Sequence, residues 1–120
     1  MKTLVIVFLI ISLSLMGCAS LKPQPRPWNK EEKKCAGFFI LAHLADAYTT
    51  ERYLDNPNNW EAINPTLDEH PSDGKVAIYF SLTGIGSLVL SHFYPQLRQP
   101  FLSGYGAFNT SLALYNTRLD

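Results

Sequence analysis

His43 and Asp46 are the residues best placed for chemistry, because they are the only acidic or basic side chains in the apolar run CAGFFILAHLADAYTT at residues 35–50. Residues three apart on a helix share a face. In that arrangement a carboxylate can orient an imidazole as a general base, and His43 could also join His70 or His92 in holding a metal ion. The alternative is a structural polar cluster that fixes the register of packed helices.

The sequence lacks the spacings that usually accompany catalysis or metal binding. It contains no His-Glu-x-x-His pair, no Cys-x-x-Cys pair and no Gly-x-Ser-x-Gly turn. Gly84 and Gly86 lie inside an apolar segment rather than after a strand, so they do not form a nucleotide-binding loop. We therefore expect a structural cluster, with no catalytic residue, no metal site and no cofactor.

Three predicted helices position these polar residues, at about 30–54, 75–94 and 101–118, with a Pro-rich and Asn-rich loop at 55–74. In an up-down-up bundle, the first helix ends, the second begins and the third ends at the same end of the bundle. Counting about 1.5 Å per residue from that end places polar residues of all three helices at similar depth. The predicted fold is all-α: a signal helix, a Pro-rich tether and a small three-helix bundle with strongly apolar helices in residues 30–120. The predicted polar cluster consists of His43, Asp46, Thr50, Thr83, Asn109 and Asn116.

The N-terminus carries a targeting signal. Lys2 precedes an uncharged apolar stretch of signal-peptide length, too short for a typical membrane span. The residues Leu15, Met16, Gly17 and Cys18 follow it, and here the sequence resembles bacterial lipoproteins. The resemblance implies removal of residues 1–17 by cleavage between Gly17 and Cys18, then acylation of Cys18 with chains such as palmitate. Because Ala19 and Ser20 follow the cysteine, it also implies sorting to the outer membrane, facing the periplasm, rather than retention in the inner membrane.

Residues 18–29 are predicted to form a tether between the lipid and the first helix. Three alternating prolines in LKPQPRPWN favour an extended, polyproline-like chain. Its basic residues could lie near anionic headgroups, where each would be attracted. Of the two interpretations, we expect a solvated linker without specific contacts.

The total charge is balanced, with ten basic and ten acidic residues, so it does not favour a nucleic-acid partner. The mature chain is nevertheless basic at residues 22–34 and acidic around residues 55–73. The segment 75–94 is long and apolar enough to span a membrane. However, Lys and Arg usually lie on the cytoplasmic side of a membrane, and a spanning first helix anchored outside the cytoplasm would place the basic residues on the opposite side. Two arrangements stay open: a periplasmic bundle lying against a membrane or hydrophobic partner, and a three-helix inner-membrane protein.

A second resemblance rests on Asp46, Thr49 and Thr50 in the first helix and on Asn64 and Pro65 in the loop. With two uncharged helices after them, these residues resemble small uncharacterised helical membrane proteins of bacteria and phages. The resemblance implies the three-helix architecture and no particular activity.

These features predict a lipid-anchored small protein of the cell envelope that acts without catalysis as a structural or accessory subunit. It would contact membrane lipid through acylated Cys18, and a membrane-protein partner or a second copy of itself through its apolar helices. One alternative is an enzyme or metal binder that uses His43 and Asp46. Another is a phage or plasmid envelope protein that blocks a receptor or assists lysis.

Overall fold

The computed structural model describes residues 22–61, 63–64 and 66–119, which fold into three α-helices. Helix α1 is Lys30–Leu54, α2 is Asp73–Phe93 and α3 is Arg98–Leu119, with a short 3-10 helix at Pro95–Leu97 before α3. The described residues contain no strand, so the predicted all-α class is confirmed. The predicted signal helix, the cleavage site at Gly17 and the lipidation site at Cys18 lie outside the described residues.

Helix α1 begins with a capping box. The Asn29 side chain accepts a hydrogen bond from the Glu32 amide, and the Glu32 carboxylate accepts one from the Asn29 amide, both at 2.9 Å. These two bonds satisfy amides that have no acceptor within the helix. The helix ends at Leu54, where the Asp55 amide donates to the Glu51 carbonyl.

The second and third helices begin earlier than the sequence predicted. Helix α2 starts at Asp73 rather than about residue 75, because the Ser72 side chain caps it by accepting from the Lys75 amide. Helix α3 starts at Arg98 rather than about residue 101, so that Pro100 lies in its first turn. A proline is tolerated there because first-turn amides have no acceptor within the helix.

The main helix interface joins α1 and α3. Phe39 of α1 and Leu102 of α3 are almost completely buried in it, and Ala42 and Ala113 lie alongside. Gly106 lets the two backbones approach, since a Cβ atom at this position would lie 3.3 Å from the Phe39 Cα atom. Helix α2 packs more lightly, so more of its surface faces outward.

The loop between α1 and α2 is ordered by its own hydrogen bonds. The Glu61 carboxylate accepts from the amides of Ile63 and Asn64, each at 2.9 Å, and the Glu61 amide donates to the Glu69 carbonyl at 2.8 Å. Leu67 is buried. The loop therefore has a defined path at the end of the bundle where α1 ends and α2 begins.

Candidate functional site

His43 occupies the centre of the bundle, between all three helices. Its Nε2 lies 2.8 Å from the Phe80 carbonyl oxygen of α2, and its Nδ1 lies 2.9 Å from Nδ2 of Asn109 in α3. A carbonyl oxygen only accepts, so Nε2 carries the proton and Nδ1 accepts from Asn109. Thr83 Oγ1 lies 3.3 Å from Nε2. This imidazole therefore links the three helices through hydrogen bonds.

Space for the imidazole is made by Gly84 of α2. A Cβ atom at Gly84 would lie 3.0 Å from His43 Cδ2 and 3.1 Å from Nε2, closer than ordinary contact. Gly86, two residues later, has open space where its Cβ atom would be. Of these two glycines, only Gly84 is required by the packing around His43.

Asp46 lies one turn further along α1 and belongs to a second polar layer. Its Oδ1 accepts from Thr50 Oγ1 at 3.4 Å, and Thr50 Oγ1 accepts from Asn116 Nδ2 of α3 at 3.1 Å. Asn116 also donates to Thr49 Oγ1 at 3.3 Å. Asp46 and Thr50 are buried. The structure thus brings the six predicted cluster residues into two hydrogen-bonded layers, which we call the polar column: His43, Asp46, Thr50, Thr83, Asn109 and Asn116.

Hydrogen bonds within the protein already engage both ring nitrogens of His43, which leaves neither free to bind a ligand. The Asp46 carboxylate accepts from a threonine of its own helix. Within the part of the chain that the structure describes, no three His, Cys, Asp or Glu side chains are grouped so as to hold a metal ion. The polar column joins the helices through hydrogen bonds among the described residues.

The residues of the second resemblance meet at the lower layer of the column. Asp46 and Thr50 share a hydrogen bond there, and Thr49 is joined to Thr50 through Asn116. The Asn64 side chain of the loop lies near the Tyr79 hydroxyl of α2. Pro65 lies outside the described residues. The short motif therefore marks the place where the loop, α1 and α2 come together.

Sequence reasoning missed a second buried polar site, at the opposite end of the bundle. Arg98, the first residue of α3, is completely buried. Its guanidinium donates to the Glu32 carboxylate at 3.1 Å, and to four backbone carbonyls in the chain before α1 and at the end of α2. The ring of Trp28 lies 4.3 Å from its Cζ atom, as in a cation–π contact. We call this cluster the Arg98 junction: Arg26, Pro27, Trp28, Glu32, Ser91, His92 and Arg98.

Glu32 is the one acidic group in the Arg98 junction and is shared by two guanidinium groups. Arg26 Nη2 lies 2.5 Å from Glu32 Oε1, and Arg98 Nη1 lies 3.1 Å from Oε2. The hydrogen bond from Arg26 is the main reason that the pKa of Glu32 falls from 4.5 to about 2, and bonds from the Asn29 amide and Arg98 act in the same direction. Glu32 is therefore ionised over the whole physiological range.

One sequence signal could have revealed this junction. Arg98 is the only Lys, Arg, Asp or Glu between Lys75 and Arg118. A single cation in so long an uncharged stretch is costly to bury unless it finds partners, so it predicts a specific anion nearby. The partner lies 66 residues earlier in the chain, and sequence spacing alone does not identify it.

Residues 24–28, in the segment predicted as a tether, make hydrogen bonds with the bundle. The Gln24 amide donates to the Phe93 carbonyl at 3.0 Å, and the carbonyls of Arg26 and Pro27 accept from Arg98 at 2.8 and 3.2 Å. Proline lacks an amide hydrogen but keeps its carbonyl, so an extended Pro-rich chain offers acceptors to a buried guanidinium. The chain just before α1 is docked against the bundle, although most of its side chains are exposed.

The outside of the bundle is more apolar than its inside. Polar or charged residues make up half of the most buried positions, while large hydrophobic side chains on all three helices are exposed. Among the described helices, only α2 has the length and composition to cross a membrane. In its apolar 18-residue stretch, 22% is buried in the bundle. We call the outward side chains of residues 35–50, 76–91 and 99–117 the apolar belt; its large members are Phe38, Ile40, Leu41, Leu44, Tyr48, Ile78, Leu82, Ile85, Val89, Leu90, Leu114 and Tyr115.

Comparison with known proteins gives no relative for this chain: no protein-family model, no curated protein and no solved structure matches it.

Proposed function

We propose that this protein is a lipid-anchored, non-catalytic accessory subunit of the cell envelope, which binds a membrane or a membrane-protein partner through its apolar belt. Cys18 is the proposed acylation site, and the outer membrane, facing the periplasm, is the proposed location. The polar column and the Arg98 junction then serve to hold three helices in one register rather than to carry out a reaction.

The observation that carries this proposal is the inverted distribution of polarity. A water-soluble bundle turns its apolar side chains inward, whereas here Leu41, Leu82 and Ile85 are each more than 60% exposed. Exposed apolar patches of this kind mark contact with a membrane or a partner. A non-catalytic role is supported by His43, since both of its ring nitrogens are engaged in hydrogen bonds that join helices.

Metabolic labelling with radioactive palmitate tests the anchor. The wild-type chain and the variant Cys18→Ser are expressed in the same bacterial host, and each is purified from separated membrane fractions. We expect label in the wild-type protein and none in Cys18→Ser, together with recovery of the wild-type protein in the outer-membrane fraction. An unlabelled wild-type protein would contradict the lipid anchor.

Metal analysis separates the accessory role from the rival role of a metal binder. The wild-type protein and the variant Asp46→Asn are purified without chelators and their bound transition metals are measured. We expect no stoichiometric metal in either protein. One metal ion per chain in the wild type, lost in Asp46→Asn, would replace the accessory role with a metal-dependent one.

A further inference from the structure

We infer that the apolar belt is built to lie in the hydrocarbon layer of a lipid bilayer, with the two ends of the bundle at the two headgroup regions. This inference rests on the proposed function and names lipid acyl chains, rather than a protein surface, as the occupant of the belt. It places the bundle across the membrane that carries the lipid anchor, in place of a position facing the periplasm. Three independent features of the described residues support it.

The first feature is the height of the belt. Residues 35–50 of α1 and 76–91 of α2 each contain 16 positions, so each helix crosses the belt over about 24 Å, while α3 adds Leu114 and Tyr115 near its C-terminal end. The hydrocarbon core of a bilayer is about 30 Å thick, and tilt or slight thinning accommodates a difference of a few Å. Asp46, the one charged residue in these segments, is 3% exposed and so points inward.

The second feature is the placement of aromatic and charged residues at the two ends of the belt. The chain has two tryptophans: Trp28 lies in the Arg98 junction at one end, and Trp60 lies in the loop at the other. Tyr94 follows α2 at the first end. Tryptophan and tyrosine concentrate at membrane–water interfaces, because their rings are apolar and carry one polar group. Basic residues predominate at the first end, where they can meet anionic headgroups.

The third feature is that the belt continues around the bundle. Leu41 of α1, Leu82 of α2 and Leu114 of α3 are 71%, 68% and 58% exposed, so all three helices carry large exposed apolar side chains. A second copy or a partner protein would cover one side of such a bundle and leave the other sides in water. A continuous apolar phase covers all of them, and the buried polar column then supplies the interhelical hydrogen bonds that hold helices together in lipid.

The basic residues that argue against spanning carry a weaker local field in the folded protein than their number in the sequence suggests. Among the basic residues at positions 22–34, Arg26 is paired with Glu32, and Lys34 with Glu31 at 2.8 Å. The topological bias itself counts Lys and Arg rather than net charge, so it stays a general tendency against this arrangement, and these pairs reduce only the local field. An anchor at Cys18 would hold this end at the leaflet that carries the lipid, which places the acidic loop at the other face.

Depth-dependent fluorescence quenching tests the inference. The full chain is placed in vesicles of phosphatidylcholine and phosphatidylglycerol, with bromine atoms either near the carbonyl groups or near the ends of the acyl chains. Three proteins each carry a single tryptophan: Trp60→Phe keeps Trp28, Trp28→Phe keeps Trp60, and Trp28→Phe/Trp60→Phe/Leu82→Trp reports the middle of the belt. Helix content is compared with the wild type before each measurement.

We expect the tryptophan at position 82 to lose several times more fluorescence to the deep bromines than to the shallow ones, and Trp28 and Trp60 to show the reverse order. The inference would be overturned if the tryptophan at position 82 were quenched by aqueous iodide instead. It would also be overturned if this tryptophan were shielded from both iodide and lipid bromines while chemical cross-linking gave dimers, because a second copy would then cover the belt.

The same three proteins in a Cys18→Ser background separate this inference from the anchor. If palmitate labelling fails but the quenching order holds with and without Cys18, the anchor is wrong and the hydrocarbon location stands. If the wild type is acylated but the tryptophan at position 82 lies in water, the anchor stands and the hydrocarbon location is wrong.

Discussion

The Arg98 junction allows a quantitative test, because Glu32 and Arg98 can be removed separately. Glu32→Gln keeps the side-chain acceptor of the capping box but removes the negative charge shared by Arg26 and Arg98. The pair with Arg26 is worth at most about 1 kcal/mol, since the Arg26 side chain is 49% exposed. The buried bond to Arg98 is worth about 1.5–3 kcal/mol, as is usual for hydrogen bonds to charged groups. We therefore expect Glu32→Gln to lower the free energy of unfolding by about 2–3 kcal/mol.

Arg98→Met removes the donor instead and should cost more. Methionine retains most of the packing volume, but four backbone carbonyls and the Glu32 carboxylate then lose the guanidinium that joins them. Breaking a buried pair by removing one member costs about 3–5 kcal/mol. The expected order of stability is wild type, then Glu32→Gln, then Arg98→Met, measured by denaturant titration of helix content in a mild detergent.

The pH dependence supplies the control for this prediction. The pKa of Glu32 is about 2 in the folded protein and 4.5 in the unfolded chain, so ionised Glu32 favours the folded state. Its stabilisation is present above pH 4.5 and is lost as the pH falls towards 2. Because glutamine does not titrate, the stability difference between wild type and Glu32→Gln should shrink over this window. A loss below about 0.5 kcal/mol at pH 7, or a difference that stays constant down to pH 2, would refute the role given to Glu32.

Three further predictions use matched variants inside the bundle, each measured by the same denaturant titration. Gly84→Ala should destabilise the folded protein by about 1–2 kcal/mol, because the new methyl group crowds the His43 imidazole. Gly86→Ala should be neutral or stabilising by up to about 1 kcal/mol, because the space there is open. Equal effects of the two substitutions would contradict this packing around His43. Ser91→Ala should be neutral or stabilising, because the buried Ser91 Oγ has no hydrogen-bond partner among the described residues. Ser87→Ala should lower the free energy of unfolding by about 1 kcal/mol, because it removes a 2.7 Å bond from the hydroxyl to a carbonyl. A larger loss of stability for Ser91→Ala than for Ser87→Ala would show that Ser91 has a partner. Asp46→Asn should keep the fold and be neutral or stabilising, since a buried carboxylate is costly and an amide of the same shape retains the bond to threonine; a loss above about 3 kcal/mol would show that the charge itself is required.

The fold was predictable from local signals. The capping box at Asn29 and Glu32 fixes the start of α1, and long apolar segments separated by Pro-rich and Asn-rich stretches fix the number and order of the helices. The starts of α2 and α3 were placed two to three residues late. In both cases the first turn contains a residue that looks unhelical, Gly74 or Pro100. Pro100 is tolerated because first-turn amides need no helical acceptor, and the entropic cost of Gly74 is offset by the Ser72 cap.

The polar column was predictable from helix geometry, whereas the Arg98 junction was not. Counting the rise per residue places Asp46, Thr83 and Ser111 at similar depth, with His43 and Asn109 near them. In the structure Thr83 lies beside His43 instead of Asp46, and Ser111 is exposed. The junction instead depends on where a Pro-rich chain runs and which of its carbonyls turn inward, and neither is encoded in periodicity or residue type. Arg98 stood out in the sequence only as a single cation in an uncharged stretch.

The central claim is that the outside of this bundle is built for hydrocarbon, and sedimentation of the Cys18→Ser chain without detergent tests it most directly. This variant is expressed without residues 1–17, so it lacks both the apolar N-terminal stretch and the proposed acyl anchor, and any need for lipid must come from the apolar belt. The account predicts that the folded chain leaves the monomeric state when detergent is removed, and that it stays monodisperse when transferred into lipid nanodiscs. A folded chain that sediments as a soluble monomer without detergent or lipid would contradict the account.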